Sequence, residues 1–296
     1  LIHNADVEHI GMVSDRLGVF IDVEQETALT VVRRCDEERR QEVQANVSVV
    51  SSTGQYTSVG SCSLPNSGAV WPIPRAIGDV ALLKAASQSS ARLADYGYRV
   101  RIGAYVWNRD KRPKYESLQE ANTAMAHTAM PLMWSRDIVP GGTVRLEDTS
   151  AITGEHRFVD LGDKQHTSVI TKPCVVLQRV TSNDQPRRLV AAAVSPGVFE
   201  TYGGFIGENH VVILEPTTDV PAIPPEMLAR LLSAHSVDRF FRCISGATNV
   251  SAFELNQLAL PSPEVLEKPI PQGWSMDEAV RHAYGLPQEH QAENEP

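Results

Sequence analysis

The chain has 296 residues, 42% of them hydrophobic and 21% charged, an ordinary globular composition with room for one large domain or two smaller ones. No run of eighteen apolar residues and no basic-then-apolar leader is visible, which argues against a membrane span or a secreted chain and points to the cytoplasm. The net charge of −9 argues against nucleic acid as a partner, but −5 of it falls from Glu264 onward, where seven acids face only Lys268 and Arg281.

In chain order, His9–Val13, Leu17–Phe20 and Ala28–Val32 read as short strands, and Arg33–Glu42 reads as a charged surface connection. These strands are too few for a core of their own and are expected to need a sheet from elsewhere. The Ser/Thr/Gly-rich stretch Val47–Gly68 predicts an edge strand or a linker. After Trp71–Pro74, apolar spacing at Ile77, Val80, Ala81, Leu83, Ala85 and Leu93 predicts a helix to Tyr96, with Gly97 as its cap. Val100–Trp107 alternates as a strand containing Gly103, and residues 114–128 suit a loop with a poor helix.

Pro131–Trp134, Val159, Val169–Ile170, Val175–Leu177 and Leu189–Ala192 predict further strands, and Tyr202–Gly207 a bend before another. His210–Leu214, closed by Pro216, is the clearest buried strand. Pro224 opens a helix to Ala234, Ser236 is expected to cap Val237–Cys243, and Ser251 with Glu254 makes a capping box for Ala252–Asn256. The Pro- and Glu-rich end reads as a solvated tail. The whole is a mixed α/β (α+β) chain with helices toward its C-terminus.

Catalytic signatures are missing. There is no phosphate loop, no Gly-x-Gly-x-x-Gly fingerprint, no Gly-x-Ser-x-Gly elbow and no His-Glu-x-x-His. Cys35, Cys62, Cys174 and Cys243 are scattered, which suits buried free thiols in a reducing compartment, and no metal spacing occurs. The densest basic stretch carries Arg99, Arg101, Arg109, Lys111, Arg112 and Lys114 against Asp110, which permits a basic cleft. Trp107, Trp134 and His210 read as core residues.

Five stretches, in order, carry a resemblance. They are Leu17–Val32; Arg101–Arg109 with Met130–Trp134; Lys172–Thr181 with Gln185–Ala192; Gly207–Leu214; and Ser245–Ser251 followed by Leu260–Pro263. Together they resemble the C-terminal target-recognition region of TaqI-like adenine-specific DNA methyltransferases of restriction–modification systems. The family's Asn/Asp-Pro-Pro-Tyr/Phe motif and its glycine-rich cofactor loop are both absent. The resemblance therefore implies a chain that starts near the end of a catalytic domain, as a piece of a longer bacterial enzyme or one half of a split one, and that does not methylate alone.

It further implies remnant methyltransferase strands in 1–45, a linker or edge strand in 46–75, the recognition domain in 76–263 and an acidic tail in 264–296. Double-stranded DNA and the catalytic domain are the implied partners. No cofactor is expected in this chain, S-adenosylmethionine belonging to the catalytic domain. Arg101, Arg109, Lys111, Arg112, Arg179, Arg187, Arg188 and Asn249 are the implied DNA contacts, since arginine suits both phosphate and guanine. Solvated or salt-bridged faces are the alternative for these residues, and turn or capping roles for Asn249. A specificity subunit of a multi-subunit restriction system, or an unrelated metabolic α/β enzyme, are the competing functions.

Overall fold

A computed structural model describes residues 5–13, 26–35, 43–51, 53–65, 69–88, 91–146, 156–162, 166–181, 185–266, 268 and 270–287. The expected strand at Leu17–Phe20 lies outside them. The elements in chain order are β1 (Ala5–Val13), β2 (Thr27–Arg34), β3 (Val43–Val50), β4 (Tyr56–Leu64), α1 (Ile77–Ser87), β5 (Tyr98–Ile102), β6 (Lys114–Tyr115), α2 (Leu118–Thr123), β7 (Ala129–Met133), β8 (Thr143–Val144) and β9 (Phe158–Asp160). They continue with β10 (Val175–Gln178), β11 (Ala191–Val194), α3 (Pro196–Tyr202), β12 (Ile206–Gly207), β13 (Val211–Pro216), α4 (Pro225–Leu232), α5 (His235–Ile244), α6 (Ala252–Gln257), α7 (Pro263–Leu266) and α8 (Met276–Ala283). The chain is mixed α/β.

The first four strands form one sheet in the order β2-β1-β3-β4. Strand β1 runs antiparallel to β2 and parallel to β3, and β4 closes antiparallel on β3. In β3 the apolar residues Val43, Ala45 and Val47 alternate with exposed Gln44 and Asn46, so one face is buried. They cluster with Val7, Ile10, Met12, Val59, Cys62 and Leu64. This corrects two expectations: the early strands have a core within the chain, and the divide placed at 45/46 falls inside β3. The Ser/Thr/Gly composition had hidden the alternation. Strand β2, by contrast, is an edge exposed over most of its length. Helix α1 lies tight on β4: a Cβ on Gly60, which holds φ +127°, would come within 2.9 Å of Val80 Cγ2.

The five-stranded sheet β5-β13-β10-β11-β8 forms the centre. Its inner strands are covered on both faces, which is why they read as continuous apolar runs. Val175, Leu177, Ala191, Ala193, Val212 and Leu214 face the helices α4 to α8. Val176, Ala192, Val194, Val211 and Ile213 face the other way, against Met133, Ile138, Ile170, Val198 and Phe205. A third sheet, β12-β7-β9-β6, covers that second side.

Several helical expectations need correction. Helix α1 stops at Ser87, and Gly97, at φ +82°, closes a separate turn before β5. Helix α3 was not anticipated; Pro196 starts it and Gly203 ends it in the left-handed conformation. Helix α5 begins at His235 after Ala234, so Ser236 lies inside its first turn, where its backbone N–H donates to Asp277 Oδ1 at 2.6 Å. Within the expected tail, residues 264–266, 268 and 270–287 are part of the described structure. Leu266, Met276, Val280 and Tyr284 join the helical core, and the Tyr284 hydroxyl donates to Ala259 O at 2.8 Å. Helix α8 has the Ser275/Glu278 capping box and keeps its acids in the first turn, so the acidic composition concealed an amphipathic helix.

Candidate nucleic-acid interface

The strand registers set which connections meet. Ile102 pairs with Val212, Gln178 with Val211, and Leu177 with Ala191. Strands β5 and β10 therefore end where β13 and β11 begin, and the connections 103–113, 179–190 and 208–210 gather at one end of the central sheet.

Backbone hydrogen bonds lace them together. Gly103 N donates to Val211 O at 2.8 Å, Asn209 N to Tyr105 O at 2.8 Å, and Arg179 N to His210 O at 2.8 Å. Val250 N donates to Arg179 O at 2.7 Å, which draws in the loop after α5. The first of these approaches requires glycine. A Cβ on Gly103 would stand 2.0 Å from Glu208 O and 2.6 Å from Gly207 O.

Of the expected DNA contacts, Arg109 and Lys111 are exposed, and neither side chain has a hydrogen-bond or ion-pair partner among the described residues. Asn249 is exposed beside Val180, with which its backbone forms a bridge. Arg179 is half-buried, with Nη1 held by Asn209 O at 3.0 Å. Arg179 and Asn249 meet at this sheet end, whereas Arg109 and Lys111 lie further along the connection that enters it through Gly103 and Tyr105. Arg112 is nearby but clasped to Asp110, with Nη2 to Oδ2 at 2.6 Å. That contact, with burial opposing it, holds the Asp110 carboxyl below its usual range. Arg112 and Lys114 also flank the ring of Tyr105, 6.0 and 5.9 Å from its centroid. Burial, with Asp110 close by, pushes the Tyr105 hydroxyl up to about 12.

The remaining three expected contacts are held by the chain itself. Arg101 lies inside β5, with Nη1 on Glu215 Oε2 and Nη2 on Thr167 O, each at 3.0 Å. Arg187 Nη1 donates to Ser233 O. Arg188 is 3% exposed, and its guanidinium donates to Thr181 Oγ1 at 2.6 Å, to Thr181 O and to Ala247 O. A side chain so enclosed anchors the β10–β11 connection and presents no fork to a base. The structure thus places Arg188, expected among the DNA contacts, inside the protein.

Three residues were misread or missed. Trp107, expected in the core, is 54% exposed in the same loop as Arg109. Trp134 is half-buried; its Nε1 donates to His156 O at 2.9 Å and Arg136 lies 5.8 Å from its ring. His210, also expected in the core, is 47% exposed, while its partner Glu208 is 1% exposed. The acid before an Asn-His turn was visible in the sequence, but its burial was not. Tyr105 Oη and Asn209 Oδ1 are buried here without a hydrogen-bond partner among the described residues. Each such group costs roughly 1–3 kcal/mol when nothing fills it.

Among the described residues no group of three or more His, Cys, Asp or Glu is placed to hold a metal, and no helix is long and apolar enough to cross a membrane. No protein-family model and no curated protein matches the chain. Two solved structures overlap it at 10% identity. One is the type IIL restriction–modification enzyme MmeI in complex with DNA (TM-score 0.46, covering 96% of this chain and 44% of that one). The other is the type IIG restriction endonuclease BpuSI (TM-score 0.40, 97% and 39%). The chain thus spans less than half the length of either.

Proposed function

We propose that this chain is the DNA target-recognition region of a restriction–modification adenine-N6 methyltransferase. Methyl transfer would be carried by a catalytic domain that binds S-adenosylmethionine, in the same parent chain or in a separate subunit. The observation that carries the reading is that the segments bearing exposed Trp107, Arg109 and Lys111, half-buried Arg179, and exposed Asn249 are laced together by backbone hydrogen bonds at one end of one sheet, in a chain whose net charge is −9. The five ordered stretches of family resemblance support it independently.

The chemistry divides accordingly. Arg109 and Lys111, exposed and without a side-chain partner among the described residues, suit phosphate oxygens. Arg179, steadied by Asn209 O, and Asn249, exposed beside it, suit base edges, arginine on guanine and asparagine on adenine. Adenine's amine cannot be methylated inside the stack, so the target base would be flipped into the catalytic domain while this end grips the flanking duplex.

The test is duplex binding across salt, with Arg109→Ala/Lys111→Ala against the parent chain. Each phosphate contact contributes a slope of about −0.9 in log affinity against log salt, so the double variant should flatten the slope by about 1.8 on all sequences. Absence of duplex binding by the parent chain at low salt, or an unchanged slope in the variant, overturns the reading.

A further inference from the structure

The turn Glu208–His210 combines features that packing alone does not account for. The Glu208 carboxylate is almost wholly buried, yet no lysine or arginine among the described residues pairs with it. It accepts instead from the His210 backbone N–H at 2.8 Å and from His210 Nδ1 at 2.9 and 3.0 Å. The imidazole itself is half open to solvent, and its Nε2 has no partner among the described residues. Arg179 donates its backbone N–H to His210 O, and on the same laced segments two buried polar atoms, Tyr105 Oη and Asn209 Oδ1, have no hydrogen-bond partner among the described residues. A carboxyl side chain has thus been buried with the effect of fixing the orientation of one exposed ring at this end of the sheet.

We propose that His210 is a further DNA contact, donating Nε2–H to a backbone phosphate next to Arg179, and that Glu208 is its positioning residue. This inference rests on the recognition reading above. The carboxylate holds Nδ1–H, so a phosphate on the outer side requires a proton on Nε2 as well. The binding form is the imidazolium, bracketed between two anions. The charged groups on the segments that meet here are Glu208 on its own turn, Arg179 at the end of β10, and Asp110, Arg112 and Lys114 around Tyr105; the loop after α5 brings uncharged Thr248 and Asn249. A phosphate shifts the balance toward the cation, so binding should weaken as pH rises through the histidine range.

The test compares the chain with His210→Gln and Glu208→Gln in duplex titrations at constant ionic strength from pH 5.5 to 8.5, with thermal melts as the check on folding. The parent chain should lose on the order of tenfold in affinity across that range. His210→Gln should bind at all pH values with the weaker affinity and a salt slope about one unit flatter. Glu208→Gln should reduce the pH dependence while His210 remains. Should Glu208→Gln fail to fold, His210→Gln decides alone, its ring being exposed. A parent-like pH profile and slope in His210→Gln overturns the inference and leaves the recognition reading standing. Absence of duplex binding by the parent chain overturns both.

Discussion

Replacing Arg188 by alanine separates two roles that sequence could not. Its guanidinium serves at least three acceptors: Thr181 O, Thr181 Oγ1 and Ala247 O. Hydrogen bonds to a charged group contribute about 1.5–3 kcal/mol each, and they do not add fully within one network. Each buried acceptor left without a donor costs about 1–3 kcal/mol, so losing the three together should cost several kcal/mol. The Asp238 carboxylate keeps its bonds from the backbone N–H groups of residues 188 and 189, so the damage stays local to the 179–190 connection. At roughly 2–4 °C per kcal/mol, Arg188→Ala should lower the melting temperature by on the order of 10 °C. Calorimetry checks this, and duplex titration well below the melt checks binding. A base-reading arginine would behave oppositely, with an unchanged melt and a loss of about 1–3 kcal/mol on the cognate site alone. That second pattern would refute the assignment of Arg188 to the scaffold.

Gly103→Ala should destabilise by roughly 3 kcal/mol, because both obstructing atoms are backbone carbonyl oxygens at 2.0 and 2.6 Å; an unchanged urea midpoint would contradict the close packing of β5 on the 208–210 turn. Leu266→Ala should cost roughly 2–5 kcal/mol in the same assay, whereas a residue in a solvated tail would cost nothing measurable. Burial alone would raise the Glu215 carboxyl, but hydrogen bonds from Arg99 and Arg101 outweigh it and hold it below the usual range. A group depressed in the folded state contributes stability above its unfolded value and loses it as pH falls through the folded one. Urea midpoints should therefore drop less steeply below about pH 4.5 in Glu215→Gln than in the parent chain, and parallel curves would remove Glu215 as a contributor.

What the sequence disclosed follows from how local each signal is. Strand β13 stood out as an unbroken apolar run ended by a proline, and α6 carried its own start signal in Ser251 and Glu254. The pairing of β3 with β1 and the docking of α8 on the core depend on partners distant in sequence, and their Ser-rich or acidic composition pointed elsewhere. The candidate site divides along the same line. Charge density marked Arg109, Lys111 and Arg179 because a cation is visible wherever it sits. That Arg188 is enclosed by Thr181 and Ala247, while Trp107 and His210 stand outside, is decided by neighbours drawn from three other segments.

The gathering of connections at one end of a sheet buried on both faces bears on how such a chain can diverge. Residues 106–112 leave and rejoin the fold between Gly103, pinned against Glu208, and the β6 ladder at Lys114. Doubling the length of such a connection adds only about 0.6 kcal/mol of closure entropy. Insertions and deletions there are therefore nearly neutral for folding, while changing what the loop can reach. Relatives of this chain should accordingly vary in length between these two anchors far more than across β10 or β13.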